Sequence, residues 1–184
     1  MSGARILIGG VGNIFLGDDA FGVEVAQRLA RRDLPEGVRV VDFGIRGIDL
    51  LYALCDGYES VILVDATPRG QAPGTLYVIE PEAEELPAPD AGEPLIDMHT
   101  MDPAKVLRAA RDLGGRVERI VLVGCEPRHT GDEQALPVGL SEPVAAAVGE
   151  AVELIESLVN RLLRTPPRAH RESSKPVGST SAER

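Results

Sequence analysis

The stretch Arg5-Ile6-Leu7-Ile8-Gly9-Gly10-Val11-Gly12-Asn13-Ile14-Phe15-Leu16-Gly17-Asp18-Asp19-Ala20-Phe21-Gly22 decides the fold. Its first five residues are a short β-branched run closed by glycine, the pattern of a buried strand. A helix is expected from about Asp18 to Arg31, because Phe21, Val25 and Leu29 recur at i, i+4 and i+8 on one face. Strand, glycine-rich turn and helix together open a β–α unit.

Working outward, the same alternation continues. Val38–Val41 reads as a second strand, Ile48–Leu54 as a short helix and Ser60–Asp65 as a third strand. Thr75–Ile79 alternates in polarity and reads as an edge strand. Asp102-Pro103 opens a helix, with Asp102 at the N-cap and Pro103 at the first helical position. Glu118–Gly124 is a fifth strand. A last helix starts after Ser141 as N-cap, with Val144, Val148, Val152, Ile155, Val159 and Leu162 forming one apolar stripe. Strands alternating with helices imply an α/β three-layer sandwich, a twisted and mostly parallel sheet of about five strands covered by helices on both faces.

The chain has 184 residues, enough for one domain with a true core. Aromatic residues make up only 3%, so that core is aliphatic. Residues 1–164 are expected to form the domain. The segment 165–184, rich in Pro, Ser and Arg and without periodicity, is expected to be a disordered tail. Glu80–Asp97 holds seven acidic residues, no basic ones and four prolines, and reads as an exposed loop.

Net charge is −10. The tail carries four basic and two acidic side chains, which leaves −12 for the rest. Such a body repels phosphate backbones and anionic lipid, so neither nucleic acid nor membrane is an expected partner. No apolar run approaches a membrane span, and no basic-then-apolar leader opens the chain. Cys55 and Cys125 form no C-x-x-C pair, which removes a disulfide framework and a zinc knuckle. A reducing, cytoplasmic setting and a monomer are expected.

The glycine-rich turn invites a dinucleotide reading. The fingerprint G-x-G-x-x-G, counted from Gly10 and Gly12, puts Phe15 where the third glycine belongs, and no G-K-[ST] follows. Asp18 and Asp19 also occupy the helix N-terminus where a phosphate would sit. A nucleotide- or metabolite-binding module is thus the lesser reading.

The chemistry-bearing residues fall elsewhere. Acidic residues suit the first turn of a helix, which accounts for one of Asp18 and Asp19 but less well for both. Asp65 closes a strand, where ligand crevices of parallel sheets lie, though a strand-end Asp is also a common turn former. His99 precedes the Asp102-Pro103 helix. His129, in a loop, competes with it, and His170 lies in the tail. If Asp19, Asp65 and His99 converge, two carboxylates and one imidazole suit a borderline divalent ion with open positions; the set alone admits Zn, Fe or Mn. No G-x-S-x-G elbow, no H-E-x-x-H helix and no recognisable nucleophilic cysteine is present.

Gly10-Val11-Gly12-Asn13, followed by Gly17-Asp18-Asp19-Ala20-Phe21-Gly22, resembles the opening motif of the nickel–iron hydrogenase maturation endopeptidases. Asp42-Phe43-Gly44 with Gly47-Ile48-Asp49-Leu50-Leu51, then Val64-Asp65-Ala66, His99, Gly124-Cys125-Glu126-Pro127 and Gly139-Leu140-Ser141 resemble the later segments, in order. The likeness runs from about Arg5 to Leu163. It implies an endopeptidase that trims the C-terminal extension of a hydrogenase large-subunit precursor after nickel insertion. Nickel would arrive with the substrate and be met by Asp19, Asp65 and His99. The first position is Glu in some members. Asp19, Asp65 and Asp42 become the candidate catalytic carboxylates. An aspartic-type dyad of Asp19 and Asp65 and a chaperone that holds the precursor without cutting it are the alternatives.

Overall fold

The computed structural model describes residues 5–80, 103–115, 117–128 and 139–165. Among these the order is strand β1 (Ile6–Val11), a 3-10 turn (Gly17–Ala20), helix α1 (Phe21–Leu29), β2 (Val38–Gly44), α2 (Gly47–Cys55), β3 (Ser60–Ala66), β4 (Leu76–Ile79), α3 (Pro103–Asp112), β5 (Arg119–Cys125) and α4 (Glu142–Arg164). The strands form one sheet ordered β2-β1-β3-β5-β4. Four run parallel, and β4 is the antiparallel edge strand beside β5. The expected α/β sandwich is therefore the fold.

Two cores sandwich the sheet. On one face α1 and α4 cover Ile6, Ile8, Ile62, Val64, Val121 and Val123. On the other, α2 and α3 cover Leu7, Val61 and Leu63. Adjacent residues of one strand thus serve opposite cores, as the period of two requires. The six-residue stripe on α4 is buried throughout, and each such aliphatic side chain contributes about 1.5–3 kcal/mol. Glu80, first residue of the acidic segment, pairs with Arg161 at 2.9 Å and Arg119 at 3.6 Å. The rest of that segment, the Asp102 cap and residues 166–184 lie outside the described residues.

The helix expected to begin at Asp18 begins later. Gly17–Ala20 is a 3-10 turn, α1 starts at Phe21, and no side chain caps either element. Close packing explains the delay. A Cβ on Gly22 would stand 2.1 Å from the Val64 carbonyl oxygen and 2.2 Å from that of Val11. A Cβ on Gly10 would lie 2.2 Å from the Gly22 oxygen. Helix α1 is pressed onto the ends of β1 and β3, and the chain turns tightly to reach it. Gly12, at φ 131°, passes so near the Asp19 carbonyl oxygen that a Cβ would sit 1.8 Å away. These glycines draw helix and strand together, the role the third glycine plays in a dinucleotide fold.

β1 continues to β2 on one side and has β3 as its other neighbour. The connections therefore diverge at β1/β3, and the crevice at a switch point of this kind is where α/β sheets bind ligands.

Candidate functional site

Asp19 and Asp65 flank that switch point. Asp65 lies at the C-terminal end of β3, paired with Gly124, one residue before the strand closes at Ala66. Asp19 lies in the 3-10 turn that leaves β1, and this turn packs on β3. Both are half-buried. The Asn13 N–H donates to Asp19 Oδ2 at 2.6 Å. Burial pushes the Asp19 carboxyl above its ordinary value, and the Asn13 hydrogen bond opposes that rise. Asp42 ends up in β2 opposite Gly10, further along the same edge, and its Oδ2 accepts from Gln27 at 3.3 Å. His99 and His129 lie outside the described residues. Among the described residues, no three His, Cys, Asp or Glu side chains are grouped as a metal cluster.

Asp18 serves a different purpose from its neighbour. It is 2% exposed and accepts three hydrogen bonds, from Arg128 N–H at 2.8 Å, Ser141 N–H at 2.6 Å and Ser141 Oγ at 2.9 Å. It is a brace that ties the exit of β5 and the entry of α4 to the turn bearing Asp19. Ser141 has the extended backbone of an N-cap, but its hydroxyl serves Asp18 and makes no cap bond. The two adjacent aspartates thus divide into one buried brace and one half-buried group at the sheet edge.

Glu126 is a second buried carboxylate, 4% exposed, whose role the sequence did not signal. It accepts the N–H groups of Arg69 (3.0 and 2.9 Å) and Gly70 (3.0 Å) and a short hydrogen bond from the Tyr77 hydroxyl. It therefore holds the loop that follows Asp65. The Tyr77 hydrogen bond leads in lowering the Glu126 carboxyl below its usual range, against the effect of burial. Burial first, then Glu126, pushes the Tyr77 hydroxyl up to about 12.

The signs of both shifts set a pH window. Glu126 contributes stability that is present above its ordinary 4.5 and lost as pH falls through its lower folded value. Tyr77 contributes below its ordinary 10.0 and loses its contribution as pH rises through about 12. Glu126→Gln should therefore be less stable than the parent between those limits. In urea melts taken across pH, the gap should close in acid. A gap that widens in acid would contradict the assignment.

Cys125 is buried, and burial with the carboxylates of Asp18 and Glu126 pushes its thiol up to about 12. It stays protonated at neutral pH, which rules it out as a resting thiolate nucleophile. Cys55 is exposed on α2. No helix among the described residues is long and apolar enough to cross a membrane.

Comparison with known proteins gives this edge a context. The sequence profile of the hydrogenase maturation proteases matches residues 23–158. The chain belongs to the hydrogenase maturation protease family. A putative hydrogenase maturation protease of Methanocaldococcus jannaschii is 38% identical over 151 residues, covering 82% of this chain and 93% of that one. The hydrogenase 2 maturation protease of Escherichia coli K12 is 33% identical over 152 residues, covering 82% and 88%. Among solved structures, the hydrogenase maturating endopeptidase HybD from E. coli superposes with a TM-score of 0.68 at 28% identity, over 86% of this chain and 93% of that one. A NiFe hydrogenase maturation protease from Thermococcus kodakarensis gives 0.65 at 29%, over 85% and 93%. Family and fold agree, and membership makes this maturation protease a peptidase.

Proposed function

We propose that this protease removes the C-terminal extension of a nickel–iron hydrogenase large-subunit precursor after nickel insertion, in the cytoplasm and as a monomer. Nickel enters as part of the substrate and is met by Asp19 and Asp65, with His99 as the third donor. The observation that carries this reading is the pair of half-buried carboxylates on adjoining segments at the β1/β3 switch point. Carboxylate oxygens and an imidazole suit a borderline divalent ion. A cation also favours the charged form of Asp19, which burial disfavours.

The substrate's nickel polarises the scissile carbonyl as a Lewis acid. The protein's own part is to hold the cleavage site against the edge and to take a proton from the attacking water through a carboxylate. Asp65 is the first choice as base, and Asp42, farther along the edge, is a supporting residue. A shared-proton dyad of Asp19 and Asp65 is the rival mechanism. A dyad raises a carboxyl chiefly through the neighbouring charge.

Incubating the purified protease with precursor and following intact mass tests the proposal. Loss of one C-terminal peptide is expected. A stable complex with no mass change would instead support a holding chaperone. Binding of NAD or ATP in dialysis, with no effect on precursor, would favour a nucleotide module.

A further inference from the structure

The edge that bears Asp19 also exposes an unusual amount of apolar surface. Ile14 is 50% exposed, Phe15 79% and Leu16 38%, in one continuous run. Ile45 is 58% exposed, Ile48 40% and Tyr52 68%. The first group leaves the sheet after β1 and the second after β2, which are neighbours, and the Gly12 N–H donates to the Gly44 carbonyl at 3.0 Å between the two loops. On α2, Leu50, Leu51 and Leu54 enter the core while Ile48 and Tyr52, four apart, face outward. Exposed apolar residues scattered singly need no explanation, but a contiguous group marks an interaction surface.

The run beside Asp19 is a tied turn. The Phe15 N–H donates to Asn13 Oδ1 and the Leu16 N–H to Asn13 O, both at 3.0 Å. The Asp19 N–H donates to Leu16 O at 3.1 Å, and the Asn13 N–H returns to the Asp19 carboxylate. One hydrogen-bonded unit thus fixes three apolar side chains in water and sets the position of Asp19.

We infer that this rim docks the precursor polypeptide, taking an apolar segment of it next to the scissile bond. The inference rests on the proteolytic reading for the identity of the partner. Its support is the continuity of the rim with Asp19. The chain's net charge of −10 adds to this, since apolar contact holds a polypeptide of either charge, whereas charge alone repels an acidic one.

Phe15→Ser and Ile48→Ser, each with its melting temperature measured, test the inference. Both positions are exposed, so stability should be unchanged. KM for precursor should rise about 10–100-fold for Phe15→Ser, the value of one buried aromatic contact, with kcat at saturation retained. Phe15→Leu should restore most of the affinity. Leu113→Ser, also exposed but beyond the end of α3, should leave KM unchanged. Direct binding of precursor to each variant is measured alongside. If the parent binds precursor without cutting it and Phe15→Ser weakens that binding, docking stands while the proteolytic reading falls. Equal KM and equal binding in parent and Phe15→Ser would overturn the docking inference and leave proteolysis untouched. So would a dimer of the parent that Phe15→Ser dissociates without a change in KM.

Discussion

Asp65→Asn is expected to lower precursor cleavage by on the order of 10²–10⁴-fold, the range for losing a positioned acid–base group. The substitution keeps the size of the side chain and removes its charge and basicity. Asp65 is held by the ladder between β3 and β5, opposite Gly124, so the backbone has no reason to move. Melting temperature should stay close to that of the parent, and precursor should still bind through the apolar rim. The loss should show in kcat/KM, because Asp65 both meets the substrate's nickel and serves as base, and is measured by mass spectrometry of the precursor over time. Asp42→Asn should cost less, because Asp42 sits farther along the edge, in β2 opposite Gly10. Full activity in Asp65→Asn would remove Asp65 from the chemistry. Equal losses in both variants would spread the base function along the edge.

Gly22→Ala is expected to be severely destabilising. The added methyl meets two strand carbonyl oxygens at 2.1 and 2.2 Å, and neither is a flexible side-chain end that can swing away. Ordinary overpacking costs about 1–3 kcal/mol. A backbone clash on two sides belongs to the exceptional class above about 4 kcal/mol, a large share of the roughly 5–15 kcal/mol that holds a domain together. Any molecules that fold must lift α1 from β1 and β3 and carry Asp19 with it, so activity should fall further than the folded fraction. Gly149→Ala is the control. It lies in α4, exposed, with nothing within 4 Å of the added carbon, and should stabilise by about 0.4–1 kcal/mol. Urea unfolding of the two variants checks both signs. Parental stability in Gly22→Ala would refute the close packing on which the site is built.

How far the sequence revealed this protein depended on the range of the interaction. Strands and helices were legible because their signal is local. The α4 stripe and the Phe21, Val25 and Leu29 face are all buried where periodicity put them. The edge strand was legible from its polar alternation, and its antiparallel direction was not. Asp19 and Asp65 could be nominated because turns and strand ends at a parallel edge are where sites lie. Asp18 could not be separated from Asp19 in the same way. Its partners, Arg128 and Ser141, are 110 and 123 positions away, and nothing local distinguishes a brace from a capping residue. Glu126 was hidden for the same reason, since it holds backbone N–H groups 56 and 57 positions earlier. Gly22 was passed over because the dinucleotide test looked for its third glycine at position 15. The close helix–strand approach is made at position 22, after a 3-10 turn that propensity does not announce.

In the proposed reaction, Asp19 and Asp65 meet nickel that the substrate carries. The most direct measurement compares cleavage of one precursor prepared with and without nickel, using the same purified protease and following C-terminal mass. Cleavage of the nickel-loaded form alone, lost in Asp65→Asn, is the predicted result. Equal cleavage of both forms by the parent protease would contradict the account and leave this edge as a peptidase site that does not read metal.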